Sequence, residues 1–266
     1  MEQRERVLIV SVQTTQTDED FAYANQELEQ LVDTAMGEVV ATVTQKRESI
    51  SGRTLVGKGK VEEISHLVDE LEVDLVVFYQ SLTGSMVKNL NESINCRIID
   101  RVQLILDIFA MRARSKEGKL QVQLAQLNYL LPRLSGQREG LSRQGGGIGT
   151  RGPGETRLET DRRYIRKQIQ DIEEQLEQIK KHRERSREKR KSSNGFQLGL
   201  IGYTNAGKST ILNQLTQAGT YQMDQLFATL DPLTRQVDLF PNFEVTLTDT
   251  VLSLIHISEP TRRRGI

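Results

Sequence analysis

The apolar positions of the first hundred residues alternate between two rhythms. Val7-Leu8-Ile9-Val10, inside Arg6 to Val12, is an unbroken apolar run with the length of a buried strand. Phe21 to Thr34 then puts Leu28, Leu31 and Val32 on one helical face. Val39 to Val43 alternates as a strand. Val61, Ile64, Leu67, Val68 and Leu71 mark a helix from Val61 to Leu71. Asp74-Leu75-Val76-Val77-Phe78 is a second buried run, Ser85 to Ile94 is helical, and Arg97-Ile98-Ile99 is a strand. Strands alternating with helices predict a small parallel α/β domain over residues 1–108. Gly57-Lys58-Gly59-Lys60 could pass for a phosphate loop. It is too short and has no Ser or Thr after the lysine, so a turn that starts the helix is expected.

The texture then changes. Leu120, Leu124, Leu127, Leu131 and Leu134 recur in steps of four and three, and Leu158, Ile165, Ile169, Ile172, Leu176 and Ile179 follow suit after one longer step. Both series are seams of coiled-coil type. They predict an antiparallel helical hairpin over residues 109–193, with the glycine-rich stretch from Ser135 to Thr156 at its tip. A second helix running to Lys191 would be about 50 Å long at 1.5 Å per residue. Ser192-Ser193-Asn194-Gly195 ends it.

Composition narrows the class. The 266 residues suit two domains, or one and a partial one. Hydrophobic content of 36% supports a core, and 27% charged residues point to a soluble, helix-rich chain. No apolar run has membrane-spanning length, and the charged start shows no signal peptide. A cytoplasmic protein without a membrane partner is expected. The one cysteine, Cys96, excludes an internal disulfide and reads as a small buried hydrophobe. His66, His182 and His256 have no metal-ligand spacing. Net charge is zero, so no overall field marks a polyanion binder.

Local charge tells more. Arg133, Arg138, Arg143, Arg151 and Arg157 sit among the tip glycines, a composition that suits contact with nucleic-acid phosphates and equally a solvated connector. The stretch from Lys180 to Lys191 is also basic; a solvated helix face is the plainer account of it.

Gly202-Tyr203-Thr204-Asn205-Ala206-Gly207-Lys208-Ser209 carries the chemistry. It fits G-x-x-x-x-G-K-[ST], in which glycines let backbone N–H groups wrap a phosphate. Lys208 reaches the terminal phosphates and the Ser209 hydroxyl suits Mg²⁺. Phe196 to Ile201 reads as the strand that feeds the loop, and Thr210 to Leu215 as the helix behind it. A partial phosphate-loop domain is expected over residues 194–251. The loop alone does not separate ATP from GTP.

Three stretches together resemble the HflX family of ribosome-associated GTPases: Gly145-Gly146-Gly147-Ile148-Gly149-Thr150-Arg151-Gly152-Pro153-Gly154-Glu155-Thr156, Ile99 to Phe109, and Gly202 to Thr210. The resemblance runs from about residue 6 to Val251. It implies a Mg²⁺-dependent GTPase that binds GTP or GDP, associates with the large ribosomal subunit and its rRNA, splits or rescues stalled ribosomes, and acts as a monomer. It assigns Arg138, Arg143, Arg151 and Arg157 to rRNA. It likens Phe227-Ala228-Thr229-Leu230-Asp231 to the first switch, with Thr229 as a second Mg²⁺ ligand, and Asp249 to the second-switch aspartate that holds Mg²⁺ through water. Thr250 and Val251 follow within the nucleotide site, and Asn205 stands where some relatives help to hold K⁺.

The resemblance breaks after Val251. The family continues with a glycine whose N–H senses the terminal phosphate, and this chain has Leu252. Residues 252–266 read as a translated transposase sequencing adaptor and are expected to be a non-native tail. The guanine-reading Asn-Lys-x-Asp pattern does not occur. Two other functions fit the residues less fully: an RNA-binding module without catalysis, and an unrelated phosphate-loop ATPase with a helical insertion.

Overall fold

The computed structural model describes residues 4–50, 52–134, 153–191, 196–200, 211, 214–215, 233–240 and 243–249. They form two compact units. One joins residues 1–108 to 126–169, and the other joins 109–125 to 170–266.

The first unit is built on a parallel sheet. Its strands are β1 (Glu5–Gln13), β2 (Gly37–Lys46), β3 (Leu75–Phe78) and β4 (Arg97–Asp100), in the order β2-β1-β3-β4. Every residue of β1 from Val7 onward is buried, as are all four of β3. Helices cover both faces, which is why these strands read as unbroken apolar runs. Leu8, Val10 and Val12 pack with Val61, Ile64 and Val68 of α2 (Lys58–Glu70) and with Met86 and Leu90 of α3 (Gly84–Asn91). Val7 points to the other face, where α1 (Asp18–Thr34) buries Leu28, Leu31 and Val32. Gly37 is squeezed there: a Cβ on it would lie 2.8 Å from Val32 Cγ1 and 3.0 Å from Val7 Cγ2.

Caps explain where the helices begin. α1 starts at Asp18 rather than Phe21 because the Thr17 hydroxyl accepts from the Asp20 backbone N–H, and three acidic residues fill the first turn. α2 starts at Lys58 behind Gly57, so Gly57-Lys58-Gly59-Lys60 is the helix-initiating turn that its length predicts. β2 outruns the predicted Val39 to Val43 at both ends. Cys96 is half-buried, packed against the core with its thiol on the Val73 carbonyl at 3.3 Å. α4 (Arg101–Arg112) follows β4 without a loop, a helix that the apolar pattern does not announce.

The hairpin helices are α5 (Lys116–Arg133) and α6 (Pro153–Lys191), and each contributes to both units. In the second unit Arg183 of α6 pairs with Glu117 of α5, so the start of one helix meets the end of the other, as an antiparallel hairpin requires. Leu120 and Leu124 of the predicted seam are half-buried, whereas Val122, off the seam, is buried. On α6, Ile165 and Ile172 are buried and Ile169, Leu176 and Ile179 half-buried.

The second unit also holds a small sheet of β5 (Phe196–Leu200), β6 (Leu233–Phe240) and β7 (Phe243–Asp249), ordered β5-β7-β6. β5 runs parallel to β7 and β6 antiparallel to it. No helix among the described residues is long and apolar enough to cross a membrane.

Candidate nucleotide and nucleic-acid sites

The parallel pairing of β5 and β7 gives the nucleotide site its backbone frame. Phe196 lies opposite Val245, Leu198 opposite Leu247, and Leu200 opposite Asp249. The chain leaves β5 toward Gly202 at the same sheet edge where Asp249 ends β7. Paired strands are about 4.8 Å apart, so an acidic residue stands one strand spacing from Leu200, the last residue of β5. β6 flanks Asp249 on its other side through Leu233. Val245, opposite Phe196 at the other end of the pair, is buried. Gly202, Tyr203, Thr204, Asn205, Ala206, Gly207, Lys208, Ser209 and Thr210 lie outside the described residues, as do Phe227, Ala228, Thr229, Leu230, Asp231, Thr250 and Val251. Of that expected set, the structure fixes the backbone of Asp249 alone.

Of the tip arginines, Arg138, Arg143 and Arg151 lie outside the described residues, while Arg157 falls in the first turns of α6. Arg133 is different. It ends α5, and its Nη2 donates to Asp100 Oδ2 at 3.0 Å. Its side chain is 20% exposed and that of Asp100 0%. The guanidinium lies 3.3 Å from the centroid of the Tyr129 ring, and Nη1 donates to the Tyr129 carbonyl at 2.9 Å. This arginine is spent inside the protein, although its place in the sequence groups it with the tip cations.

Asp100 is the centre of that cluster. Leu82 N donates to Oδ2 at 2.9 Å and Gln103 N to Oδ1 at 3.0 Å, so the carboxylate also caps the start of α4. The Tyr129 hydroxyl hydrogen-bonds the same carboxylate; burial, with Asp100 beside it, pushes this phenol above its ordinary range. A carboxylate at the end of the apolar run Ile98-Ile99 was the visible signal. Its partner, thirty-three residues on, was not visible.

A second charged pair sits nearby. Arg101 Nη2 donates to Glu27 Oε1 at 2.5 Å, and its guanidinium lies 5.7 Å from the Tyr79 ring centroid. Burial raises the Tyr79 phenol, and Arg101 opposes the rise. No group of three or more potential metal ligands occurs among the described residues.

Three family profiles match in succession: "GTP-binding GTPase N-terminal" over residues 22–110, "GTP-binding GTPase Middle Region" over 112–190, and "50S ribosome-binding GTPase" over 197–262. The last match extends beyond Val251. The chain is 60% identical to a protein named GTPase HflX from Alkalihalophilus pseudofirmus, over 93% of this chain and 58% of that protein. It is 46% identical to GTPase HflX from Escherichia coli, over 95% of this chain and 59% of that protein. The chain therefore spans about three fifths of the length of the curated relatives it matches. A solved structure described as the SsGBP and GDP complex shares the fold, with a TM-score of 0.51 at 23% identity, covering 93% of this chain and 62% of that one.

Proposed function

The chain belongs to the HflX GTPase family, and from that membership we propose that it serves GTP binding and hydrolysis coupled to association with the large ribosomal subunit. The observation that carries the nucleotide half is the register of Leu200 against Asp249. It puts Leu200, two residues before Gly202 in sequence, beside a carboxylate-bearing residue at the carboxyl ends of β5 and β7, which supports a phosphate-loop site there.

The roles follow from residue chemistry. Backbone N–H groups from Gly202 to Ser209 cradle the phosphates. Lys208 would neutralise the terminal ones, and Ser209, Thr229 and, through water, Asp249 would make an all-oxygen donor set suited to a hard divalent cation. When bound, Mg²⁺ supplies charge neutralisation on the terminal phosphates. In the family's switch logic, Phe227 to Asp231 would engage the triphosphate and release after hydrolysis. Asn205 is the residue through which K⁺ would act, and equal turnover in KCl and NaCl would remove it from that role.

Arg138, Arg143, Arg151 and Arg157 would meet rRNA phosphates, and hydrolysis would time release after stalled ribosomes are separated. A monomer working in the cytoplasm is the simplest carrier of that cycle. Family membership sets aside an unrelated ATPase.

By the family resemblance, Leu252 stands where a glycine is expected. With Leu252 at that position, we expect the 266-residue chain to bind nucleotide phosphates and to turn over far more slowly than a full-length relative. Calorimetry with GTP, GDP and ATP, followed by phosphate release with and without large subunits, measures both. Turnover by the 266-residue chain at a full-length relative's rate would refute the incomplete-switch account.

A further inference from the structure

The cluster around Asp100 does more than bury a charge. Asp100 is held independently of α5, through Leu82 N at 2.9 Å and, in the first turn of α4, Gln103 N at 3.0 Å. It is a preformed acceptor at the carboxyl edge of the sheet. The last turn of α5 then docks at three points. Arg133 Nη2 reaches Asp100 at 3.0 Å. The Tyr129 hydroxyl bonds the same carboxylate from one turn earlier. The backbone of Arg133 comes so close to Gly84 that a Cβ there would stand 2.3 Å from the Arg133 carbonyl oxygen. Two of these contacts converge on the Asp100 carboxylate and the third lies apart from it at Gly84, so the end of α5 is held at two places. Arg133 also closes its own helix, donating through Nη1 to the Tyr129 carbonyl at 2.9 Å.

We propose that Asp100 and Arg133 are a positioning pair: they set the place and direction in which the chain leaves α5, and thereby how the arginine-bearing residues beyond Leu134 meet ribosomal RNA. The proposal rests on the reading above that those residues contact RNA. Arg133 itself touches no phosphate in it; its charge is already matched inside the protein. A contact made only for stability would leave RNA affinity untouched once the protein is folded, and an RNA ligand would show itself through salt.

Four chains separate these roles: the 266-residue protein, Arg133→Met, Asp100→Asn combined with Arg133→Met, and Arg138→Ala. The combined variant leaves no buried charge alone, so it reports even where the single change unfolds the protein. Amide hydrogen exchange is followed along α5, and affinity for isolated large subunits is measured against salt concentration.

In both Arg133 variants, exchange at residues 126–134 should accelerate by about tenfold or more while β1 and β3 keep their protection. Subunit affinity should fall by about tenfold with the salt slope unchanged, whereas Arg138→Ala should lower the slope by about one and leave α5 exchange alone. Unchanged exchange in the combined variant would overturn the pair as an anchor. A slope lowered by about one in Arg133→Met would make Arg133 a phosphate ligand instead. Loosened α5 with full affinity, while Arg138→Ala weakens binding, would overturn the positioning role alone. Full affinity in all three variants would remove the RNA reading, and the positioning role with it.

Discussion

Asp107 is the residue at which acidity and burial collide. It sits on α4, and burial raises its carboxyl above the ordinary range, with Arg97 and a hydrogen bond to Gln126 opposing the rise. The folded form thus favours the proton more than the unfolded chain does. Its stabilising contribution is complete below the ordinary carboxyl pKa and is lost as pH rises through the elevated one. Asp107→Asn keeps an acceptor for Gln126 and carries no charge. It should melt higher than the parent at pH 7, with the gap closing as pH falls toward 4. Thermal scans across that range test it; a gap that widens on acidification would contradict the sign. Single residues of this kind were hard to foresee. Asp100 and Asp107 read alike in the sequence, and only the folded chain separates the fully matched carboxylate from the partly opposed one.

Among the elements, those secured by one dominant force were the legible ones. β1 and β3 are buried on both sides and declare themselves as apolar runs. α2 and α3 carry clean helical stripes. β2 is an edge strand, and its polar ends, Gly37-Glu38 and Thr44-Gln45-Lys46, gain their strand form from pairing with β1 rather than from their own pattern. α4 buries Leu104, Ile105, Leu106 and Ile108, too much of its circumference for a stripe to stand out. The apolar pair Leu239-Phe240 announces only the end of β6; Thr234-Arg235-Gln236 interrupts the rest, and ladder bonds to β7 supply what the pattern lacks.

One element-scale prediction follows from the tight junction of α1 and β2. Gly37→Ala puts a methyl against Val32 Cγ1 and Val7 Cγ2. Both neighbours are β-branched and stiff, so the change should cost about 1–3 kcal/mol, the range for overpacking a filled core. Urea denaturation at constant m-value measures it. A loss below about 0.5 kcal/mol, the size of an ordinary surface change, would mean that the junction relaxes freely.

For the whole molecule, the glycine loop named the chemistry early, because its spacing is imposed by phosphate geometry. That Asp249 lies beside Leu200, at the end of the strand leading to it, needed the register of β5 and β7. The large subunit entered through resemblance, since a net charge of zero conceals local cationic segments. Sedimentation with large subunits tests the joined account. A full-length relative should bind about tenfold tighter with a non-hydrolysable GTP analogue than with GDP, a coupling of ordinary allosteric size. The 266-residue chain, with Leu252 after Val251, should bind equally under both conditions. A full nucleotide response from it would show that the switch is complete without the glycine.

The strand order β2-β1-β3-β4 has a consequence for the newborn chain. β1 is translated first yet lies in the interior of the sheet, and its second neighbour, β3, begins only at Leu75. At about 5–20 residues per second, the apolar run from Val7 to Val12 waits several seconds for half of its cover. During that interval it is a sticky free edge, shielded on one side by β2 alone. Slow decoding between Lys46 and Leu75 would lengthen the exposure, and with it the demand on whatever holds nascent chains apart.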